Sequence, residues 1–239
     1  MIHYHGLPIS GTHADIIEFS KNRHVLVPFT QPHILPLVAN VCSSFCLDNG
    51  AFSAWRKGVT INWEDFVTWC STWCKHPRYD FAFAPDVIGG TERDNMILLA
   101  KYGLRIKDAV PVYHLHESVE YAAKLAARFP RVAIGSSGEW STPGTASWWS
   151  RMVEVLDVLC DSNGHPKTRL HGLRQLNPKI FKDIPYASAD SCNAGINAGS
   201  KKRFSYMPPK ASQRATVIAC MIEGTNSAAA WDRDIFKNK

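Results

Sequence analysis

Long hydrophobic runs are missing from this sequence. No stretch approaches the ~20 consecutive apolar residues that a membrane-spanning helix needs, although 45% of the 239 residues are hydrophobic. The opening segment, Met1–Gly6, also lacks the basic head and the long apolar core of a signal peptide. These absences argue against a membrane-embedded or secreted protein. We therefore expect a soluble, cytoplasmic chain with no membrane partner.

Common signatures of nucleotide-phosphate and zinc binding are missing as well. The chain has neither the Gly-x-x-x-x-Gly-Lys nor the Gly-x-Gly-x-x-Gly spacing, so it lacks both familiar phosphate-binding loops. Its seven cysteines are scattered and include no Cys-x-Cys-x-x-Cys. Cys70, Cys74 and His76 have a spacing that a metal could use, but one helix face with buried cysteines explains them as well. We predict no metal site.

A modest excess of positive charge is present instead. Lys and Arg total 27 against 21 Asp and Glu, which gives a net charge of +6. Five basic residues crowd the C-terminal quarter, beside Asp190: Lys201, Lys202, Arg203, Lys210 and Arg214. A basic cluster next to a candidate site predicts a polyanionic substrate, with contacts to its phosphates. The alternative is an ordinary solvated loop.

Strand-like and helix-like segments alternate along the chain. Eight runs rich in Val, Ile, Phe and Tyr predict strands: Ile2–His5, His24–Pro28, Ser44–Leu47, Phe81–Ala84, Val110–Tyr113, Val132–Gly135, Thr168–His171 and Tyr186–Ala189. Segments with helical periodicity separate nearly all of them: Ala14–Asn22, Pro36–Cys42, Trp63–Lys75, Thr91–Tyr102, Ser118–Phe129, Thr145–Cys160 and Pro178–Asp183. The alternation predicts an α/β fold, a single (β/α)8 TIM-type barrel spanning residues 1–239 and closed by a C-terminal helix over Ser212–Glu223. A doubly wound open sheet is the alternative.

Three aspartates follow predicted strands. Asp48 leads into Asn49-Gly50, where glycine permits a positive φ and a sharp turn that leaves the carboxylate exposed. Asp86 and Asp190 follow the fourth and eighth strands. Because the carboxyl ends of barrel strands meet at one mouth, we expect the three acids to converge there. Each of them taken alone also fits a turn or a helix cap.

Other polar groups are predicted at the same mouth. His114 and His116 end the fifth strand, and alternation would let only one of them face the barrel. The sixth strand leads into Gly135, Ser136, Ser137, Gly138 and Glu139. The small residues offer backbone N–H groups to a planar ligand, and Glu139 offers an acceptor. Arg174 follows the seventh strand, where such barrels often bind phosphate.

The ordered set of these motifs resembles a known family. Leu47-Asp48-Asn49-Gly50-Ala51-Phe52 resembles the Asp-Ser-Gly-Gly-Phe/Tyr segment of tRNA-guanine transglycosylases. Ile134–Glu139 is similar to their base-binding loop, and His171-Gly172-Leu173 with Ser188-Ala189-Asp190-Ser191 is similar to the strands leading to their nucleophile. The short, phage-borne branch that modifies DNA, the deazapurine DNA modification proteins, is the most similar.

Two departures from the tRNA enzymes stand out. Their zinc subdomain is missing, and the glutamine that they carry after the fifth strand is replaced by the His114–His116 segment. Together with the short chain, these departures favour DNA over tRNA as the polymer. The resemblance implies no organic cofactor. It also implies a free 7-deazaguanine base as the second substrate.

The resemblance further implies roles for individual residues. Asp190 would attack C1′ of the sugar, and Asp48 would protonate the departing guanine and then deprotonate the incoming base. Asp86, Phe52 and the loop over residues 135–139 would bind the base. A base extruded from a duplex would stack on Trp55, Trp140 or Tyr113. A purine N-glycosidase that uses water, and a non-catalytic nucleic-acid-binding barrel, are the alternatives.

Overall fold

The computed structural model describes residues 1–199 and 208–236, and these form a parallel α/β barrel. The strands are β1 Ile2–Gly6, β2 His24–Pro28, β3 Ser44–Asp48, β4 Tyr79–Phe83, β5 Ala109–Val110, β6 Val112–His114, β7 Arg131–Gly135, β8 Arg169–Leu173 and β9 Ser188–Ser191. The helices are α1 His13–Ser20, α2 Leu35–Val38, α3 Ala51–Lys57, α4 Trp63–Trp73, α5 Glu92–Lys101, α6 Val119–Arg128, α7 Ala146–Leu159, α8 Pro178–Phe181, α9 Asn193–Ala198 and α10 Ala211–Glu223.

A proline explains why the described residues contain nine strands where eight were predicted. The sheet order is β5-β4-β3-β2-β1-β9-β8-β7-β6, so the two end strands are neighbours along the chain. They are separated only by Pro111, which has no N–H to donate. Val110 O accepts a hydrogen bond from Ala84 on the β4 side, and Pro111 O accepts one from Ala133 on the β7 side. β5 and β6 are therefore two halves of the fifth barrel strand, and the predicted (β/α)8 barrel is confirmed.

The barrel contains two apolar regions. Alternate residues of the strands fill the interior with a cluster that includes Tyr4, Phe81 and Phe83, whose rings meet edge to face. The residues between them point outwards and pack against the helices in a larger core that includes Phe19 and Trp148. Each fully buried large side chain contributes about 1.5–3 kcal/mol. This alternation turns the last inward-facing residue of each strand towards the mouth.

Two elements differ from the sequence prediction in ways that shape the mouth. The eighth predicted strand begins later, at Ser188, and so includes Asp190 instead of ending before it. α3 was not predicted at all: it begins at Ala51, after Gly50 turns the chain with φ of 77°. The helix predicted over Ser118–Phe129 is confirmed, because the Ser118 side chain caps α6 by accepting from the Tyr121 N–H.

In the part of the chain that the structure describes, no helix has both the length and the apolar character needed to cross a membrane.

Candidate active site

Asp48 lies at the mouth end of β3 as a partly buried residue. Its backbone carbonyl accepts a hydrogen bond from the Phe29 N–H, which fixes the end of the strand against the loop after β2. Burial raises the pKa of Asp48 to about 7, and the neighbouring charges of Asp190 and Asp86 raise it further than the opposing effects of the Gly50 N–H and Arg174 lower it. Asp48 can therefore exchange a proton near neutral pH.

Asp190 is the second mouth carboxylate and is almost fully buried. Its Oδ1 lies 3.1 Å from His171 Nε2 and accepts a hydrogen bond of 3.1 Å from the Arg174 N–H. Burial lowers the pKa of His171 although Asp190 acts to raise it, so this imidazole is neutral. Because the Asp190 carboxylate can only accept, Nε2–H donates to it, and Nδ1, 2.8 Å from Ser188 Oγ, accepts from the serine hydroxyl. These contacts hold the carboxylate in one orientation.

Asp86 is engaged by protein groups on both of its oxygens. Asn49 Nδ2 donates to Oδ1 at 2.7 Å, and His114 Nε2 lies 2.9 Å from Oδ2. Asn49 is itself fixed, because Nδ2 also donates to Ala84 O and Oδ1 accepts from the Ala51 N–H. Asn49 thus joins the ends of β3 and β4. From the sequence, Asn49 is expected only as a turn residue.

A buried network supports His114 from behind. Glu117 Oε2 accepts a hydrogen bond of 2.7 Å from the His114 backbone N–H, and Glu117 Oε1 accepts one of 2.7 Å from Asn95. Burial works against protonation of His114, but the Asp86 and Glu117 carboxylates outweigh it and raise the pKa of this histidine. Burial also raises the pKa of Glu117. Glu117 and Asn95 were not predicted, because they follow no strand end directly.

The expectation that only one of the two histidines would face the mouth is wrong. β6 ends at His114, so strand alternation does not extend to His116, and the two ring centres are 5.6 Å apart. His116 Nδ1 lies 2.7 Å from Ser137 Oγ, and Nε2 lies 2.8 Å from Gly90 O. Its two ring nitrogens therefore join the loops after β4 and β7.

The loop after β7 is held mainly by its two serines. Ser136 Oγ accepts a hydrogen bond of 2.9 Å from Trp148 Nε1, while Ser137 contacts His116. Gly135 is buried beside His114, and Gly138 adopts a positive φ of 57°. Glu139 is exposed to solvent, so its carboxylate is free to reach a ligand at the rim.

Arg174 and Phe52 form a pair at the rim that the sequence did not predict. The Arg174 guanidinium lies 3.8 Å from the centre of the Phe52 ring, a cation–π contact. Arg174 has a φ of 55°, an uncommon conformation for a residue with a side chain, and in it the Arg174 N–H donates to Asp190. Phe52, on α3, thus packs on the side chain of the residue whose N–H is hydrogen-bonded to Asp190.

The residues predicted to bind phosphate differ in their exposure. Lys210 is exposed at the start of α10. Arg214 is buried, and its guanidinium donates to the carbonyls of Ala198, Pro208 and Pro209, so the prediction that it binds phosphate is wrong. Helical periodicity indicates that Arg214 is buried, because it lies four residues before Ile218 on the same face of α10. Lys201, Lys202 and Arg203 lie outside the described residues.

Of the three aromatic residues expected to stack on a base, Tyr113 is excluded. It points out of the barrel, is fully buried, and donates its hydroxyl to Glu117 O at 3.0 Å. Trp140 is partly buried, with the Arg151 guanidinium 5.0 Å from its ring. Trp55 is 60% exposed.

The possible metal ligands are engaged elsewhere. Cys70 is buried in α4, Cys74 Sγ donates to Ser71 O, and His76 Nε2 lies 3.2 Å from Asn40 Oδ1. Among residues 1–199 and 208–236, no group of three His, Cys, Asp or Glu side chains is arranged to hold a metal ion.

Comparison with known proteins supports the fold alone. No protein-family model matches the chain, and no curated protein does. Among solved structures, a protein from Coccidioides immitis assigned as a fructose-1,6-biphosphate aldolase superposes with a TM-score of 0.52. The match covers 94% of this chain and 90% of that chain at 11% sequence identity. The chain therefore has the TIM-barrel fold, in which active sites lie at the C-terminal ends of the strands.

The residues at the mouth are suited to acid–base and nucleophilic chemistry. Asp48 and Asp190 lie at the C-terminal ends of β3 and β9, close enough for the charge of Asp190 to raise the pKa of Asp48. One carboxyl can thus hold a proton at neutral pH beside a second one that is fixed by His171. Paired carboxyls of this kind can divide the roles of acid and nucleophile at a sugar carbon.

Proposed function

We propose that this protein is a nucleic-acid guanine transglycosylase, a pentosyltransferase that exchanges guanine for a 7-deazaguanine base in DNA. The observation that carries the proposal is the pair Asp48 and Asp190 at one mouth, with the pKa of Asp48 raised to about 7 by burial and by Asp190. The order of strand-end motifs that resembles the transglycosylase family supports it. No organic cofactor takes part.

The first half of the reaction forms a covalent intermediate. A carboxylate oxygen of Asp190 attacks C1′ through an oxocarbenium-like transition state, while the bond from C1′ to the guanine nitrogen breaks. Asp48 gives its proton to the departing guanine. The hydrogen bonds from His171 and the Arg174 N–H to Asp190 Oδ1 orient this carboxylate towards the sugar.

The second half reverses these steps with a different base. The incoming 7-deazaguanine loses its ring N–H proton to the ionised Asp48, and its nitrogen attacks C1′ and displaces Asp190. A pKa near 7 suits both steps, because the protonated and ionised forms of Asp48 are both populated at neutral pH. The base is bound by Phe52, Gly135–Gly138 and Glu139. Asp86 also binds the base, together with His114, which forms an ion pair with it.

One competition assay tests the proposal. Purified protein receives equal amounts of DNA and tRNA together with radiolabelled guanine, and we expect label in the DNA. Label in tRNA alone would reject DNA as the polymer and keep the chemistry. Abasic sites without incorporated label would instead identify a purine N-glycosidase. No label and no abasic site would reject the transglycosylase proposal itself.

The same proposal makes single-stranded DNA the better substrate. Extruding a paired guanine from a duplex costs a few kcal/mol, so single-stranded or mismatched DNA should react faster than paired DNA. Equal rates on matched single-stranded and duplex oligonucleotides would contradict extrusion of the base.

A further inference from the structure

We propose that the outer surface of α3 holds the DNA strand beside the target nucleotide, with Trp55 stacking on a neighbouring base and Arg56 and Lys57 contacting phosphates. This inference rests on the proposed function, because it takes DNA as the polymer. α3, which the sequence did not predict, would thus bind the DNA strand. We call Trp55, Arg56 and Lys57 the α3 surface.

The α3 surface is unusually exposed for its composition. Trp55 is 60% exposed, although a side chain of this size normally buries most of its area. Arg56 and Lys57 beside it are exposed as well. A lone exposed apolar residue needs no explanation, but an exposed tryptophan next to two cations matches the composition of surfaces that bind single strands.

The aromatic and cationic groups of α3 continue inwards to the mouth. The ring centres of Trp55 and Phe52 are 5.8 Å apart. The Arg174 guanidinium lies 3.8 Å from the centre of the Phe52 ring. Arg56 lies 6.0 Å from the same ring. Aromatic and cationic groups thus follow one another from the exposed helix to the side of the mouth where Arg174 meets Asp190.

The position of α3 in the chain places it next to the mouth. Asp48 ends β3 and α3 begins at Ala51, while the helix that returns the chain to β4 is α4. α3 is therefore an addition to the loop between β3 and α4, at the mouth end of the barrel. A strand whose sugar lies between Asp48 and Asp190 must pass close to this loop.

The chemistry of the α3 surface selects a nucleic-acid strand as its occupant. Its cations are complementary to phosphates, and every base offers a face on which an indole can stack. An apolar peptide would leave Arg56 and Lys57 without partners. The stacking is independent of sequence, so it holds a strand in place without choosing the target.

Binding of a fluorescein-labelled single-stranded oligonucleotide tests the role of Trp55. By anisotropy, Trp55→Ala should weaken binding by about 5- to 150-fold, the range for losing one base–aromatic stack. Trp55→Phe should recover most of the affinity. Met221→Ala is the matched control, because Met221 is 64% exposed on α10, away from α3.

The salt dependence of the same binding tests the two cations. Arg56→Ala with Lys57→Ala should flatten the slope of log K against log[salt] by about 1.4, since each phosphate contact on a single strand contributes about 0.7. Lys124→Ala with Arg128→Ala removes two exposed charges from α6 and should leave the slope unchanged.

The outcomes separate this inference from the proposed function. If both α3 variants bind the oligonucleotide as the wild type does, the α3 surface is rejected even where label still enters DNA. If the variants bind weakly but the wild type incorporates no base, the surface stands and the reaction is rejected. Stronger loss of tRNA binding than of DNA binding would overturn DNA as the occupant.

Discussion

Asp48 shows how one residue acquires its chemistry from its position. A carboxyl in water is ionised well below neutral pH, but burial beside Asp190 raises the pKa of Asp48 to about 7. The shift is upward because both burial and a negative neighbour disfavour the ionised form. The protonated form is therefore lost as the pH rises through 7.

This sign predicts a pH dependence for the first half-reaction. Formation of the covalent adduct requires protonated Asp48, so as the pH falls its rate should reach a maximum by about pH 6, and above pH 8 it should fall about tenfold per pH unit. Rapid-quench assays on a single-stranded oligonucleotide would measure it. Asp48→Asn should slow adduct formation about 10²–10⁴-fold and remove the pH dependence. A wild-type rate that does not change between pH 6 and 9 would exclude Asp48 as the acid.

Asp190 predicts a contrast between two substitutions. Asp190→Asn keeps an oxygen that can accept from His171 and the Arg174 N–H, so the protein should stay about as stable as the wild type while base exchange is lost. Asp190→Ala should lose exchange and also about 1–3 kcal/mol of stability, because it leaves buried His171 without that partner. Urea unfolding combined with the exchange assay separates the two effects. Exchange at the wild-type rate in Asp190→Asn would remove Asp190 as nucleophile.

At the scale of elements, two glycines that cap α3 form a matched pair. Gly50 and Gly58 both have a positive φ, of 77° and 64°. A Cβ at Gly50 would lie 2.9 Å from Thr30 Cγ2, whereas one at Gly58 would meet nothing within 4 Å. Gly58→Ala should therefore cost about 1 kcal/mol of folding stability, from backbone strain alone. Gly50→Ala should cost more and should also slow adduct formation, since it displaces the turn after Asp48. Equal losses of stability would show that the turn yields easily.

α10 offers a second contrast, between Arg214 and Lys210. Arg214→Ala removes buried charge-assisted hydrogen bonds to three carbonyls and should cost about 2–4 kcal/mol in urea unfolding. Lys210→Ala, at an exposed position, should change stability by less than about 0.5 kcal/mol. Similar stability in the two variants would contradict the structural role of Arg214.

Much of the element order followed from the sequence, because strand and helix periods differ and alternate. The apolar runs and the capping serine of α6 are local signals, and they predicted strands and helices at nearly the observed places. α3 was not predicted because its start depends on the φ of Gly50 and on the packing of Gly50 against Thr30, which no local periodicity encodes. The division of the fifth strand at Pro111 was not predicted for a similar reason, since only the pairing of β5 with β4 and of β6 with β7 reveals it.

The site was predictable only where a residue follows a strand. Asp48, Asp86 and Asp190 were found in this way. Asn49 and Glu117 were missed as functional groups because their roles come from hydrogen bonds to particular neighbours, Asn49 to Asp86 and Glu117 to the His114 backbone N–H, which no local pattern encodes. Arg214 was misassigned because a count of charges cannot distinguish an exposed cation from one that holds buried carbonyls.

At the scale of the whole molecule, the cysteines predict a metal-free protein. Burial raises the pKa of the Cys70 thiol, and this disfavours the thiolate that zinc requires. Purified protein should contain far less than one zinc per chain, and a chelator should not change its melting temperature. Stoichiometric zinc, together with a fall in melting temperature on chelation, would contradict the prediction and point to Cys70, Cys74 and His76.

The Asn49-Gly50 pair has a consequence for how the protein ages. Asn-Gly is the dipeptide most prone to deamidation in flexible chains, because the glycine nitrogen can attack the asparagine amide. Here the Asn49 amide is buried and hydrogen-bonded to Ala84 O, Asp86 and the Ala51 N–H. Deamidation therefore waits for the turn to open. Once it occurs, a new carboxylate faces Asp86, and the hydrogen bonds that the amide donates to Ala84 O and Asp86 are lost.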